Sequence, residues 1–241
     1  MRYLMLTILT AVTIVSISAT ALAKPHVEIS ALGTTNTILD DSFEFFAIDT
    51  MVHDTWGVDV RVEVLEIKDV LHLLPFVAYR YGASTGYPEW VTGTVQTDLA
   101  THDLDVGARM RGWFLPWLGA YAQLFTGISH IQMEADATSD YAYNTIGSRH
   151  LYRDDKTKWN LGATVGMELR ISPRLLKQHG ITRFNFGGEM GVGFMKRMTT
   201  NFNPSLEGGD DLSLDRADTV NFGDIDLSGV VFQFGLTVSF L

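Results

Sequence analysis

The constraint that dominates this chain is an apolar residue at every second position, repeated segment after segment. Val58, Val60, Val62 and Val64 fall on one side, with Asp59, Arg61 and Glu63 on the other, because successive strand side chains point to opposite faces. The pattern returns as Leu104, Val106, Ala108, Met110 and as Leu161, Ala163, Val165, Met167, Leu169, Ile171. It returns again as Phe184, Phe186, Gly188, Met190, Val192, Phe194, and finally as Val230, Phe232, Phe234, Leu236, Val238, Phe240. Weaker versions run from His26 to Gly33, Leu74 to Gly82 and Trp117 to Ser129. Helical spacing fits none of them, and nothing after residue 23 approaches the 18 or so consecutive apolar residues of a membrane-crossing helix. Eight strands and an all-β fold are predicted.

The 241 residues suit one domain. A formal charge of -10 argues against a nucleic-acid partner, since phosphate binding needs clustered Lys and Arg. With no cysteine, thiolate metal sites, cysteine nucleophiles and disulfide staples are excluded. The hydrophobic fraction of 46% is too high for a disordered chain.

Residues 1–23 read as a cleaved secretory signal peptide: Arg2 supplies the positive start, Leu4 to Ile17 the apolar stretch, and Ala21-Leu22-Ala23 the small cleavage residues. Residues 24–241 are then the folded domain. No cysteine follows for a lipid anchor.

The predicted connections alternate in length. Those at 34–55, 83–101, 130–157 and 197–224 are long, whereas those at 68–73, 114–116 and 172–181 are short. Short turns at one end and long loops at the other are the layout of an antiparallel up-and-down transmembrane barrel. On the signal segment, the alternation and the closing strand, the chain resembles the small eight-stranded outer-membrane β-barrel proteins of Gram-negative bacteria, the OmpA, OmpX and OmpW type. The resemblance implies location in the bacterial outer membrane, with outer-membrane lipids, lipopolysaccharide, periplasmic chaperones and the barrel assembly machinery as partners, and a monomeric state. It also implies an assembly signal in the last strand, matched by Gly235, Leu236, Val238 and Phe240; Leu241 departs from the family's terminal aromatic.

Strands of about twelve residues, rising roughly 3.3 Å each and tilted about 40°, span some 30 Å, enough for the roughly 25 Å apolar band of such barrels. Trp113 and Trp117 at the short-turn end, with Trp56 and Trp159 at the other, suit interfacial belts. The opposite face goes to the lumen, with Asp59, Glu63, Asp103, Asp105, Glu168 and Glu189 facing Arg61, Arg80, Arg109, Arg111, Arg170 and Arg183. Arginine, always charged and fork-shaped, suits a closed polar core better than lysine; the six lysines fall in turns, loops or strand ends. Eight strands leave an interior just wide enough for side chains, so a general porin is not expected.

Catalytic constellations are weak, and no enzyme activity or cofactor is assigned. Ser148 and His150 lie close in the third long loop beside Arg149 and Arg153, but side chains two apart in a loop form no preset pair. In the fourth long loop, Asp210, Asp211, Asp215 and Asp218 could offer oxygens to calcium. Their spacing matches no calcium loop, so a solvated acidic loop is the reading adopted, divalent bridging to lipopolysaccharide phosphates is a hypothesis beside it, and no metal centre is assigned.

The first and second long loops carry Phe43, Phe45, Phe46, Ile48, Met51 and Val52, and then Tyr87, Trp90 and Val91. Either the barrel extends as hairpins above the membrane, or these residues form a contact surface. Residues 43–53 are also readable as a strand paired with 56–66 through a tight turn, and a ten-stranded barrel is the alternative to eight.

The expected role is structural or recognitional, with at most narrow solute or ion passage. The rivals are a lipid A acyl hydrolase or acyltransferase, a narrow porin-like channel, and a soluble lipocalin-type barrel with the two faces exchanged.

Overall fold

Side chains of alternating polarity sort to two sides of a sheet, and here the sheet closes on itself. The computed structural model describes residues 26–40, 52–67, 70–87, 89–90, 93–137, 150–181, 183–202 and 224–240. Eight strands form the wall: β1 Val27–Ile38, β2 Val52–Val62, β3 Leu71–Gly86, β4 Gly93–Leu115, β5 Leu118–Ala137, β6 His150–Arg170, β7 Phe184–Arg197 and β8 Gly229–Phe240. Each pairs antiparallel with its sequence neighbours, and β1 closes the ring against β8, from Val27↔Phe240 to Ile38↔Gly229. Closure pairs every wall strand on both sides through the belt, while residues 150–158 of β6 extend past their pairing with β7.

The expected exterior is the observed one. Val58, Val106, Leu124, Val165, Phe234 and Leu236 are exposed on the outside, whereas Asp59, Arg61, Asp105 and Glu168 are buried within. That orientation rules out the soluble, inside-out alternative. Asp54 and Thr55 continue β2 rather than turning, so the tight turn required by the ten-strand reading is absent; residues 43–51 lie outside the described residues.

At the short-turn end, β4 and β5 are joined through Pro116 and Trp117. The β2–β3 hairpin is prolonged by Leu65–Ile67 against Leu71–Leu73. Between β6 and β7 lies a six-residue helix, α1 Pro173–Gln178. Proline begins it, where no backbone N–H is required, and Gly180 at φ 75° follows it in the left-handed region that glycine occupies freely.

The far end departs from expectation. β4, β5 and β6 run 23, 20 and 21 residues, so the connection expected over 83–101 contracts to 87–92 and that over 130–157 to 138–149. Trp56 and Trp159, expected to begin strands, lie well inside theirs; Lys156, expected in the connection, and Lys158, expected at a strand end, both lie within β6. The reason is an inversion of polarity within the strands. Below Ser129, β5 turns Ala122 and Leu124 outward and Tyr121, Gln123 and Phe125 inward; above it, Ile131, Met133 and Ala135 are fully buried, while His130, Gln132 and Glu134 face out. Beyond the apolar belt the strands continue as those of a water-soluble barrel would. A returning hairpin, Thr200–Asn201 against Asp224–Ile225, accompanies this upper core, with Phe202, Ile225 and Leu227 buried.

Inside the wall, glycines make room for rings. Tyr121 sits opposite Gly166 and Phe125 opposite Gly162 across the β5–β6 pairing. A Cβ on Gly166 would fall 2.7 Å from the Tyr121 ring, and one on Gly162 would fall 2.2 Å from that of Phe125. The two aromatics lie flat against the barrel wall only because their cross-strand partners have no side chain.

Candidate functional site: the ionic lumen

Inward positions on eight strands must fill one narrow space, and their charges converge in layers. In the middle layer Glu189, from β7, is the common acceptor. Arg109 Nη1 and Nη2 donate to its two oxygens at 2.7 and 3.0 Å, Arg61 Nη2 donates at 2.9 Å and Gln233 Nε2 at 2.7 Å. Arg61 also holds Asp59 at 2.6 Å. Gln123 Oε1 accepts from Arg109 Nη2 at 2.7 Å, and the guanidinium lies 4.0 Å over the Tyr121 ring. Arg61 and Arg109 are 0% exposed. Fully desolvated charges persist only when they are paired and hydrogen-bonded; every charge of this layer has an opposite charge in contact, while Asp59 Oδ1 and Arg61 Nη1 make no hydrogen bond.

Toward the short turns, Arg111 Nη1 donates to both oxygens of Glu28, at 2.8 and 3.0 Å, and to Glu168 at 3.1 Å. Toward the long connections, Arg80 pairs with Asp105 at 3.1 Å and lies 4.8 Å over the Phe125 ring. Above it, Arg197 Nη2 reaches Asp103 at 2.6 Å, Ser129 Oγ donates to the same carboxylate at 2.5 Å, and Arg197 Nη1 holds the carbonyl of Leu227 at 3.1 Å. That last bond fastens the segment before β8 to the top of the ionic column.

Of the twelve residues assigned to the lumen from sequence, Asp59, Arg61, Arg80, Asp103, Asp105, Arg109, Arg111, Glu168 and Glu189 are buried inside it. Three are placed differently. Arg183 is exposed, ahead of the first residue of β7, so its inward parity has no wall to act on. Arg170 lies at the mouth, where it donates to Pro116 O at 2.7 Å and stacks 4.0 Å over Trp113. Trp113 therefore faces the mouth, between Arg170 and Arg111, rather than an outer belt. Glu63 lies in the β2–β3 connection, half-buried beside His26 and His72 at 3.7 and 3.2 Å. Burial works against its charge, but the two rings outweigh it and hold the carboxyl down to about 2; the same contact draws the His26 imidazole upward.

Glu28, Arg197, Gln123 and Gln233 belong to the network and were not assigned from sequence. Glu28 lies between the outward Val27 and Ile29 of the weakly patterned β1, and Arg197 shares the parity of Glu189 three residues past Phe194, so parity alone, carried a little further in β7, marks both. The buried His53 was also missed; its Nδ1 is 2.7 Å from Ser84 Oγ and its Nε2 is 2.7 Å from Thr101 Oγ1. The proposed assembly residues Gly235, Leu236, Val238 and Phe240 lie on β8, paired with Leu32, Ala31, Ile29 and Val27 of the closing seam. Asp210, Asp211, Asp215 and Asp218, like Ser148 and Arg149, fall outside the described residues. Arg153 is exposed and pairs with Glu134 at 3.1 Å.

A closed eight-stranded barrel, apolar where it would meet acyl chains and ionic where side chains fill its centre, is a transmembrane β-barrel of the small kind. No family model matches the sequence, and no curated protein matches it. Among solved structures, it is similar to Ail, the attachment invasion locus protein of Yersinia pestis, at 11% identity and a TM-score of 0.38, over 90% of this chain and 98% of that one. It is also similar to Neisserial surface protein A (9%, TM-score 0.39, 90% and 96%) and to the outer membrane protease OmpT of Escherichia coli (8%, TM-score 0.41, 90% and 96%). Likenesses this faint say nothing about what the chain does.

Proposed function

We propose that this chain is an integral barrel of the bacterial outer membrane, with short turns toward the periplasm and long connections outside. Its role is structural or recognitional, not conductive. The observation that carries the reading is the middle layer: Arg61, Arg109 and Glu189 are bound to one another across a lumen they fill. Above it, the buried Ile131, Met133 and Leu227 add an apolar stopper. The segment at residues 1–23 supports export, and the exposed Trp56, Trp117 and Trp159 suit interfacial anchoring. The long connections are where lipopolysaccharide or surface ligands would be met.

Planar-bilayer recording of the wild type beside Arg109→Ala tests this reading. Electrical silence from both supports a filled lumen, and well-defined conductance steps from the wild type would overturn it.

A second reading, an enzyme acting on lipid, draws on the Ser84–His53–Thr101 chain, in which a hydroxyl and an imidazole meet at 2.7 Å near the loop end. Against it stands the position a triad gives to a carboxylate, since Nδ1 here meets the Ser84 hydroxyl and Nε2 meets the Thr101 hydroxyl. Comparing lipid A masses with and without the gene would separate the two readings, an unchanged mass spectrum disposing of the second.

A further inference from the structure

Below the ionic column, at the short-turn mouth, four side chains with metal-ligating atoms meet around a cavity of about 190 Å³. Glu66 lies directly across the hairpin from His72, and Glu63 directly follows the last residue of β2. One ligand atom from each of Glu63, Glu66 and His72 falls within 4.8 Å of the other two. His26 approaches from the start of β1, its Nδ1 3.7 Å from Glu63 Oε2.

His72 is the unusual member. It is 7% exposed, it lines the cavity, and neither of its ring nitrogens has a hydrogen-bond partner. Nδ1 comes within 3.2 Å of Glu63 Oε2 without hydrogen-bonding alignment. A buried imidazole with no aligned hydrogen bond at either nitrogen is costly, and coordination to a cation is one way to remove that cost.

We propose that Glu63, Glu66 and His72, with His26 as a fourth ligand, bind a zinc-type divalent cation at this mouth. Zinc bonds of about 2.0–2.1 Å in tetrahedral geometry put neighbouring ligand atoms roughly 3.3 Å apart, close to the 3.2 and 3.7 Å separations of the His72 and His26 nitrogens from Glu63. Two carboxylates balance the cation's charge, and the imidazoles select a borderline transition ion over calcium or magnesium, which prefer all-oxygen sites. Two adverse charges line the cavity: Arg111, whose Nη2 is 3.7 Å from Glu63 while its Nη1 is held by Glu28 and Glu168, and Arg170, whose Nε donates to Pro116 O. No linear motif marks the site, because the hairpin register sets Glu66 opposite His72 and His26 comes from the start of the neighbouring strand β1.

The test uses the full chain, folded in detergent micelles and titrated with zinc chloride, with cobalt(II) as the spectroscopic substitute. One equivalent should bind at micromolar concentration or tighter. Cobalt should show the intense visible absorption of four-coordinate ligation, displaced by zinc but not by excess calcium. His72→Gln and Glu66→Gln should each weaken binding about tenfold or more, while His130→Gln, on the outer wall, should not. Glu66 is exposed on the hairpin, so its variant carries the test even if His72→Gln fails to fold. The proposal is overturned if the wild type does not saturate, if Glu66→Gln binds as tightly as wild type, if calcium displaces cobalt equally well, or if the loss follows His130→Gln instead.

Discussion

Arg109 and Glu189 meet fork to fork: two guanidinium nitrogens on β4 reach both carboxylate oxygens on β7, at 2.7 and 3.0 Å, across the centre of the barrel. They come from strands that are not neighbours in the wall, so the pair ties opposite sides of the cylinder together.

Removing one member leaves the other charged and desolvated. Arg109→Ala should lower unfolding stability by about 3–5 kcal/mol, seen as a lower urea midpoint in micelles. A midpoint within error of the wild type would mean that Arg61 and Gln233 satisfy Glu189 without it.

Gly166 has a second function besides ring accommodation. A methyl group there would lie 2.2 Å from Met190 O and 2.7 Å from the Tyr121 ring on which Arg109 rests. Gly166→Ala should therefore displace Tyr121 and destabilise the barrel by about 1–3 kcal/mol. Tyr121→Ala combined with Gly166→Ala should cost less than the sum of the two, because the ring contact is then gone; strict additivity would refute the coupling.

The outer wall gives an opposite test. Leu236 is 73% exposed, and an arginine at a mid-membrane position of a barrel costs about 2–4 kcal/mol. Leu236→Arg should reduce the folded fraction in lipid vesicles, as read by the heat-modifiable shift in gel mobility, whereas Glu134→Arg, above the belt, should leave it unchanged. Equal folding of both would contradict the assigned depth.

At the loop end, Asp226 is set by its partners. Burial pushes its carboxyl up, but hydrogen bonds from the Lys196 ammonium and Ser228 outweigh it and hold it below the usual carboxylate value. A depressed folded value means that the contact is fully present above the ordinary range near 3.8 and is lost as pH falls through the lowered one. The Ser228 amide resonance should therefore titrate below about pH 4, and Lys196→Met should move that titration upward. A resonance insensitive to acid would show that the contact is absent.

The wall was legible in the sequence because lipid enforces a strict rule: every outward position between the two rims must be apolar, and Val58, Val106 and Val165 report it directly. Strand length was not legible. Past Ser129 the rule reverses, so Ile131 and Met133 alternate out of phase with Ala122 and Leu124, and a pattern read in one register ends there. Lumen charges such as Arg61 and Glu168 were readable from parity, but their partners were not, since pairing depends on closure and on how far each side chain reaches. Arg183 shows the converse, a residue with the right parity beyond the point where the wall begins. His72 and Glu66 carried no signal along the chain; only the hairpin register sets them face to face.

The reversal at Ser129 acts as a waterline written into the covalent chain. Sliding β5 outward by one pleat would leave Leu124 nearer to water, and sliding it inward would drive Gln132 toward acyl chains, so either displacement is resisted. The molecule thus fixes its own draught, and the part of it that stands clear of the bilayer is set by where two side-chain phases exchange.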